Sequence, residues 1–326
     1  MNRKLIARAG RCCVLLGVIA TSQAFAQSTY PNRTLRLIVP FAAGGGADIT
    51  GRVVAQKLTE AFGQQMLVDN RAGAAGNIGT ELAAKSAPDG YTLLLVGPNH
   101  TTNVSLFTKL NYDPVRDFNP VTLLTAAPYV LLVHPSLPAP NLKALIALAR
   151  SKPGQLTYGS AGNGTAGHLA MESIKTQAKI DMLHVPYKGS PPLQSDLIGG
   201  QVVAGFDNVL SSVAHVKAGR LRALAVSSAK RSPALPDVPT VEQAALPGFD
   251  VTVWQGLLVP AGTPREIVAR LHTEVISALQ KPDVQSRMAA LGVDIVGNSP
   301  AEFAAFIRRD IEKWALVIKA ASARID

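Results

Sequence analysis

Two glycine-rich loops carry the residue types most able to do chemistry in this chain. The first lies in Leu35–Thr50, LRLIVPFAAGGGADIT, where an apolar run of strand length ends in proline, phenylalanine and a triple glycine before a helix begins. The second lies in Leu156–Met171, LTYGSAGNGTAGHLAM, with the same order of strand, glycine loop and helix. Each loop hands the chain to a helix N-terminus, where bare backbone N–H groups can receive an anion. Neither contains lysine or arginine, which favours capture of a small carboxylate by neutral donors over handling of a polyphosphate.

In the second loop Gly162-Asn163-Gly164-Thr165-Ala166-Gly167 matches G-x-G-x-x-G. A dinucleotide fold also wants an acid about 20 residues on, at the end of the next strand. Asp181 comes too early, and the strand ends in His184-Val185-Pro186. A P-loop fails as well, because His168 stands where its lysine must be. What remains is an anion-receiving helix start with the Thr165 hydroxyl as an added donor; the plainer alternative is a turn with Thr165 as N-cap. In the first loop Gly44–Gly46 allow close backbone approach to a ligand. Phe41 offers a ring face or plugs the core, and Asp48 reads as the N-cap of the following helix. A third loop, Asn70–Ile78, is expected beside the first.

Catalytic constellations are missing from the pattern. Ser160 lies in Y-G-S-A-G rather than G-x-S-x-G. The six histidines, at 100, 134, 168, 184, 215 and 272, show no metal-ligand spacing, so neither metal nor cofactor is expected. Asp207, after the run Val202–Phe206, is the one acid at a ligand-facing strand end; its alternative role is to cap the next helix.

Strand-like runs alternate with helical patterns along the chain, which argues for an α/β fold with mostly parallel sheets. Expected strands include Leu35–Val39, Thr92–Val96, Tyr129–Val133, Leu156–Tyr158, Val202–Phe206 and Val251–Leu258. Expected helices include Asp48–Ala61, Leu142–Arg150, Thr165–Gln177, Leu210–Lys217, Pro264–Leu279 and Pro300–Ala320. Thr263-Pro264 and Ser299-Pro300 read as N-caps followed by proline at the first helical position. The extended segments Thr125–His134 and Phe249–Val259 are the expected crossings between two domains: residues 30–127 plus 250–326, and residues 128–249. Both glycine loops would then face a cleft between the domains, where small molecules bind.

The N-terminus points to export. Arg3, Lys4, Arg8 and Arg11 precede the apolar run Cys12–Ala20 and an A-x-A signal, Ala24-Phe25-Ala26. Residues 1–26 therefore read as a signal peptide and the mature protein as periplasmic. Both cysteines, Cys12 and Cys13, leave with it, which excludes disulfides and thiol catalysis. The leader also removes four basic residues, leaving 28 against 22 acids, a mature charge of +6. The basic residues are scattered with no interleaved aromatics, so nucleic acid is not an expected partner.

Taken in order, LRLIVPFAAGGGADITGR, VDNRAGAAGNIGTELAAKSAPDGYTLL, LTYGSAGNGTAGHLA, HVPYKG, LRALAVSS with LPDVPTVEQ, and WQGLLVPAGTP resemble the Bug family of extracytoplasmic solute receptors. The likeness runs from about Tyr30 to the C-terminus. It implies a two-domain type II periplasmic-binding-protein fold with an interdomain ligand cleft, monomeric, binding a di- or tricarboxylate, acidic amino acid or aromatic acid. It implies as partners the membrane subunits of a tripartite tricarboxylate transporter. By position it places Phe41, Ala42, Gly44, Asp48 and Ala74 on the first-domain side of the site. Ser160, Asn163, Gly164, Thr165 and Ala166 form the carboxylate pocket, with Tyr187, Lys188 and Gly189 near the rim and Asp207 at a typical family position. Two other readings stay open: a secreted hydrolase on the same scaffold, and a loaded receptor that signals to a membrane sensor.

Overall fold

Leu35, Leu37, Ile38 and Val39 are fully buried in the first strand, as expected where helices cover both faces of a parallel sheet. The computed structural model describes residues 30–320, so the leader read at residues 1–26 lies outside the described residues. The chain runs β1 (Leu35–Val39), α1 (Gly46–Phe62), β2 (Met66–Asn70), α2 (Asn77–Ala84), β3 (Thr92–Val96), α3 (Asn99–Leu106) and β4 (Phe118–Val133). It continues through α4 (Leu142–Ser151), β5 (Thr157–Ser160), α5 (Ala166–Ala178), β6 (Leu183–Pro186), α6 (Ser190–Ile198), β7 (Ala204–Asn208), α7 (Val209–Lys217) and β8 (Arg222–Val226). It ends with α8 (Val241–Ala244), β9 (Thr252–Pro260), α9 (Arg265–Leu279), α10 (Pro282–Ala290), β10 (Asp294–Ile295) and α11 (Pro300–Ala320).

The strands form two half-sheets of matching design. The first has the order β2-β1-β3-β9-β4, with β1 parallel to β2 and β3, and β9 antiparallel to β3 and β4. The second has the order β6-β5-β7-β4-β8, with β5 parallel to β6 and β7, and β4 antiparallel to β7 and β8. In the first, β9 and the short β10, which pairs with β4, run against the other strands; in the second β4 does, and β4 is the strand shared by both half-sheets. Residues from Phe118 to Pro128 of β4 pair with β9, whereas Tyr129 to Val133 pair with β7. The return crossing is at Val251, whose N–H donates to Ser227 O at the end of the second half-sheet, just before Thr252 pairs with Pro128. This is the α/β, two-lobed periplasmic-binding-protein architecture that the sequence suggested.

Three local expectations need correction. The strand read as Tyr129–Val133 begins at Phe118, eleven residues earlier. Pro120 and Pro128 obscured it, since proline removes a ladder donor, and the strand accommodates its first half with register shifts at Pro120/Thr122 and Leu123/Thr125. Helix α3, from Asn99 in NHTTNVSL, was not expected, because its residues are weak helix formers. It forms because α11 packs on it: Thr101 Oγ1 donates to Asp310 Oδ2 at 2.6 Å. Thr263 is not the cap of α9; Pro264 holds that place and the Thr263 hydroxyl donates to Pro260 O. Ser299 does cap α11, with Ser299 N donating to Glu302 Oε2 and Glu302 N to Ser299 Oγ, a reciprocal box.

Candidate functional site

Between the lobes lies a cavity in two chambers. The inner one lies between the first glycine loop and the start of α5. Of the residues singled out in the sequence, Phe41, Ala42, Thr165, Ala166, Gly189 and Asp207 line it. Ala74, Asn163, Tyr187 and Lys188 line the outer chamber, with Phe41 shared. Gly44, Asp48, Ser160 and Gly164 lie on neither wall. The walls also include Asn99, Tyr129, Trp254, Gln255 and Asn208, which the sequence did not reveal. Their only available signal was position: each sits at a strand end or crossing beside a glycine loop.

The first loop reaches α1 through Gly45, an N-cap with no side chain to bond. Asp48 is not the cap, as expected from sequence, but sits inside the first turn. From there Oδ2 accepts the Gly44 N–H at 2.9 Å and Arg52 Nε at 2.8 Å. Burial alone would raise its carboxyl; the Arg52 and Gly44 donors outweigh that and hold it below its ordinary value. Gly44 needs glycine, at φ +82° against Pro191 of the other lobe. The neighbouring turn, Gly73 to Gly76, runs entirely at positive φ through Ala74 (46°) and Ala75 (52°). Such a run is costly unless held. Asn99 Nδ2 and Asn103 Nδ2 hold it by donating to Ala75 O at 3.0 and 3.1 Å.

The second loop is tied far more heavily. Thr165 is the N-cap of α5: its Oγ1 accepts His168 N and donates to Gly162 O at 2.8 Å. Gly164 N donates to His168 Nδ1 at 3.1 Å. Ser160 Oγ donates to Gly162 O and lies 2.7 Å from His184 Nε2. The rings of His168 and His184 stack at 4.1 Å. Burial, reinforced by the neighbouring His168, pushes His184 down to about 3, and burial also lowers His168. Both rings are therefore neutral at pH 7. The Ser160–His184 pair has hydrolase elements, yet Ser160 is fully buried and lies on neither wall.

Asp207 does not cap α7; Asn208 does, accepting Leu210 N. The Asp207 carboxylate instead gathers Ser190 Oγ (2.5 Å), Asn208 N (2.8 Å), Gln194 Nε2 (2.7 Å), Ser211 Oγ (3.2 Å) and Ser212 Oγ (3.5 Å). Burial raises its carboxyl against those five donors. It is a structural knot joining α6, α7 and β7, with no free lone pair of note. Tyr187 is likewise held by its hydroxyl on Asp196.

The lobes touch across the cleft. Thr102 Oγ1 of α3 donates to Gly164 O at 2.9 Å. A Cβ added at Gly189 would stand 3.1 Å from Ala42 Cβ, and one at Gly46 would stand 2.6 Å from Asn208 Nδ2. Among the described residues no group of three His, Cys, Asp or Glu is placed to hold a metal ion.

Comparison with known proteins agrees with this geometry. The model for the tripartite tricarboxylate transporter family receptor matches residues 50–322. Protein BugT of Bordetella pertussis is 37% identical over 326 residues, spanning 99% of this chain and 98% of BugT. The structure of R. palustris Rpa4515 with adipate has a TM-score of 0.89 at 38% identity, covering 91% of this chain and all of the other. MatC from Rhodopseudomonas palustris with bound malate has a TM-score of 0.85 at 34% identity, covering 89% and 100%.

Proposed function

This chain belongs to the tripartite tricarboxylate transporter receptor family and is a solute-binding receptor; from that premise we propose that its cleft closes on a small carboxylate. The observation that carries this reading is the start of α5. Its first turn contains no acid, and it opens on a chamber whose walls hold no lysine or arginine. A helix N-terminus free of acids attracts an anion by about 0.3–1 kcal/mol in the open and up to about 2 when partly buried. The relatives solved with adipate and malate support the same ligand class.

In this reading Thr165 and Ala166 bound the seat of the carboxylate, and Asn163, Tyr187, Lys188 and Gly189 form its rim. Phe41, Ala42, Gly44, Asp48 and Ala74 bring the first lobe down. Ser160 and Gly164 shape the loop from behind, and Asp207 fixes the floor. The domains are residues 30–127 plus 250–326 and residues 128–249, a division supported by the change of pairing partners within β4. The protein is read as an exported periplasmic monomer that delivers its ligand to the membrane subunits of a tripartite transporter, without enzymatic turnover.

Calorimetry with small organic acids should give one site per chain, unaffected by EDTA. Binding raises stability by about 2.7 kcal/mol at 100 times Kd. Trp254 lines the inner chamber and its fluorescence should change on binding, whereas Trp314, buried in α11, should change less. Tight binding only to sugars or cations, or binding lost in EDTA, would sink the carboxylate reading.

A further inference from the structure

We infer that the ligand is a hydroxycarboxylate, whose hydroxyl donates to Asn99 Oδ1 while its carboxylate meets the start of α5. This rests on the carboxylate reading above and narrows it. Asn99 lines the inner chamber and is 3% exposed. Its Oδ1 is buried without a partner. Other buried polar atoms share that condition, on Asp48, Thr50, His100, Asn103, His215 and Ser232, but none of those residues lies on either wall.

The orientation of this amide is settled by its surroundings. Nδ2 donates to Ala75 O at 3.0 Å, one of the two bonds that hold the positive-φ turn. Gly76, at φ +89°, makes room for it, since a Cβ there would stand 2.3 Å from Nδ2. Turning the amide over would set two carbonyl oxygens against each other, so the group left free is an acceptor. A buried carbonyl oxygen of this kind calls for a donor.

The donor is a hydroxyl rather than an ammonium. An ammonium brings three donors and a positive charge, and a buried charge needs a partner. Asp207 is the one carboxylate on the chamber wall, and its two oxygens already receive five protein donors. One neutral acceptor matches one neutral donor. Asn99 also lies one helical turn from Thr102, which bonds Gly164 of the opposite lobe. A hydroxyl on Asn99 would therefore link the ligand to the same helix that closes the cleft.

The experiment measures matched acid pairs by calorimetry on the mature chain: propionate and lactate, succinate and malate, glutarate and 2-hydroxyglutarate, with aspartate as the ammonium probe. In the pair of fitting length the hydroxy acid should bind about 10-fold tighter or more, because it pairs a group otherwise left unmade. Asn99→Ala should erase that gap, so that the two acids of the pair bind alike, whatever the loss of the tie to Ala75 O does to both. Should Asn99→Ala not fold, the wild-type pairs decide alone. Equal affinities within every pair would mean that water serves Oδ1, and would overturn the inference while leaving the carboxylate reading intact. A preference that persists undiminished in Asn99→Ala, or tighter binding of aspartate than of malate, would overturn it too. Failure of all these acids to bind would remove the carboxylate reading and this inference together.

Discussion

The two glycine loops look alike in sequence and differ in what holds them. The loop before α5 is laced by its own side chains: Thr165 to Gly162 and His168, Gly164 to His168, Ser160 to Gly162. The loop before α1 has a bare glycine cap and two side-chain ties, Gly44 N to Asp48 and Asn70 Nδ2 to Phe41 O. Their electrostatics differ as well. Asp48 already places a negative charge in the first turn of α1, whereas the first turn of α5 has none. A helix terminus that carries its own anion has less to offer a ligand. The comparison separates a preorganised seat on the second lobe from a thin, glycine-lined cover on the first. It also explains why Gly44, Gly45, Gly46 and Gly189 face the opposite lobe: the chains can approach this closely only where no Cβ intervenes.

The cover is the part most easily broken. Gly46 has ordinary helical backbone, so alanine there suits α1 and raises helix propensity. In the closed arrangement, however, its Cβ would stand 2.6 Å from Asn208 Nδ2 and 2.8 Å from Asn208 Cγ. Asn208 cannot step aside freely, because its Oδ1 caps α7, a bond worth about 1 kcal/mol. We expect Gly46→Ala to leave the melting temperature of the free protein unchanged or slightly higher and to weaken ligand binding at least tenfold. An unchanged Kd would show that the first lobe does not need to come this close.

The seat should respond in the opposite sense. Thr165→Val keeps side-chain shape and removes both the cap to His168 N and the bond to Gly162 O. The free protein should lose about 1 kcal/mol of stability, a fall of roughly 2–4 °C in Tm for a chain of this size. Kd should weaken less than tenfold, through loss of loop order. A different result, a Kd weaker by 10- to 150-fold with unchanged apo stability, would mean that the hydroxyl turns to the ligand instead. Gly46→Ala and Thr165→Val thus divide affinity from stability between the two lobes.

Much of this was legible in the sequence, for reasons that differ by element. The strand–glycine–helix units were visible because apolar runs, glycine and the helical period each leave a local signature. The crossing at Tyr129–Val133 was visible for its unbroken apolar run, but its first half was hidden by two prolines that only tertiary pairing with β9 makes tolerable. Helix α3 was invisible, since nothing in NHTTN marks a core helix. Those residues are buried because Asp310 on α11 and Ala75 in a neighbouring turn supply their partners. Asn99 therefore left no mark in the sequence beyond its position after a strand end. Asp48 and Asp207 were found, but the cap read for Asp48 and left open for Asp207 is not what either forms: an acid near a helix start suggests a cap, while the partners, Arg52 and Gly44 N in one case and Ser190, Gln194 and Ser211 in the other, are set by the fold.

The smallest effect concerns protons. His184 is pushed down to about 3 and His168 is lowered in the second lobe, and fully buried His100 is pushed down to about 4 in the first, burial being the leading cause for each. A histidine held neutral in the folded chain still titrates near 6.5 when unfolded, so below that pH the unfolded chain binds more protons. Stability is then fully present above about pH 6.5 and falls as pH drops towards 4, by at most about 1.4 kcal/mol per pH unit for each such group, and less for the partly exposed His184. Below about pH 4 the carboxylates held low, such as Asp48 with Arg52, add their own loss. The two lobes are distinguishable here. His184→Gln should flatten the melting curve between pH 6.5 and 4.5, because glutamine keeps a partner for Ser160 without binding a proton. It should also weaken ligand affinity at pH 7 if the His168–His184 stack supports the seat through Gly164. His100 touches Pro114, Tyr112 and Phe118 of the first lobe, so His100→Gln should change stability alone. Equal effects of both substitutions on ligand affinity would show that the seat is no more dependent on its own side chains than the cover is.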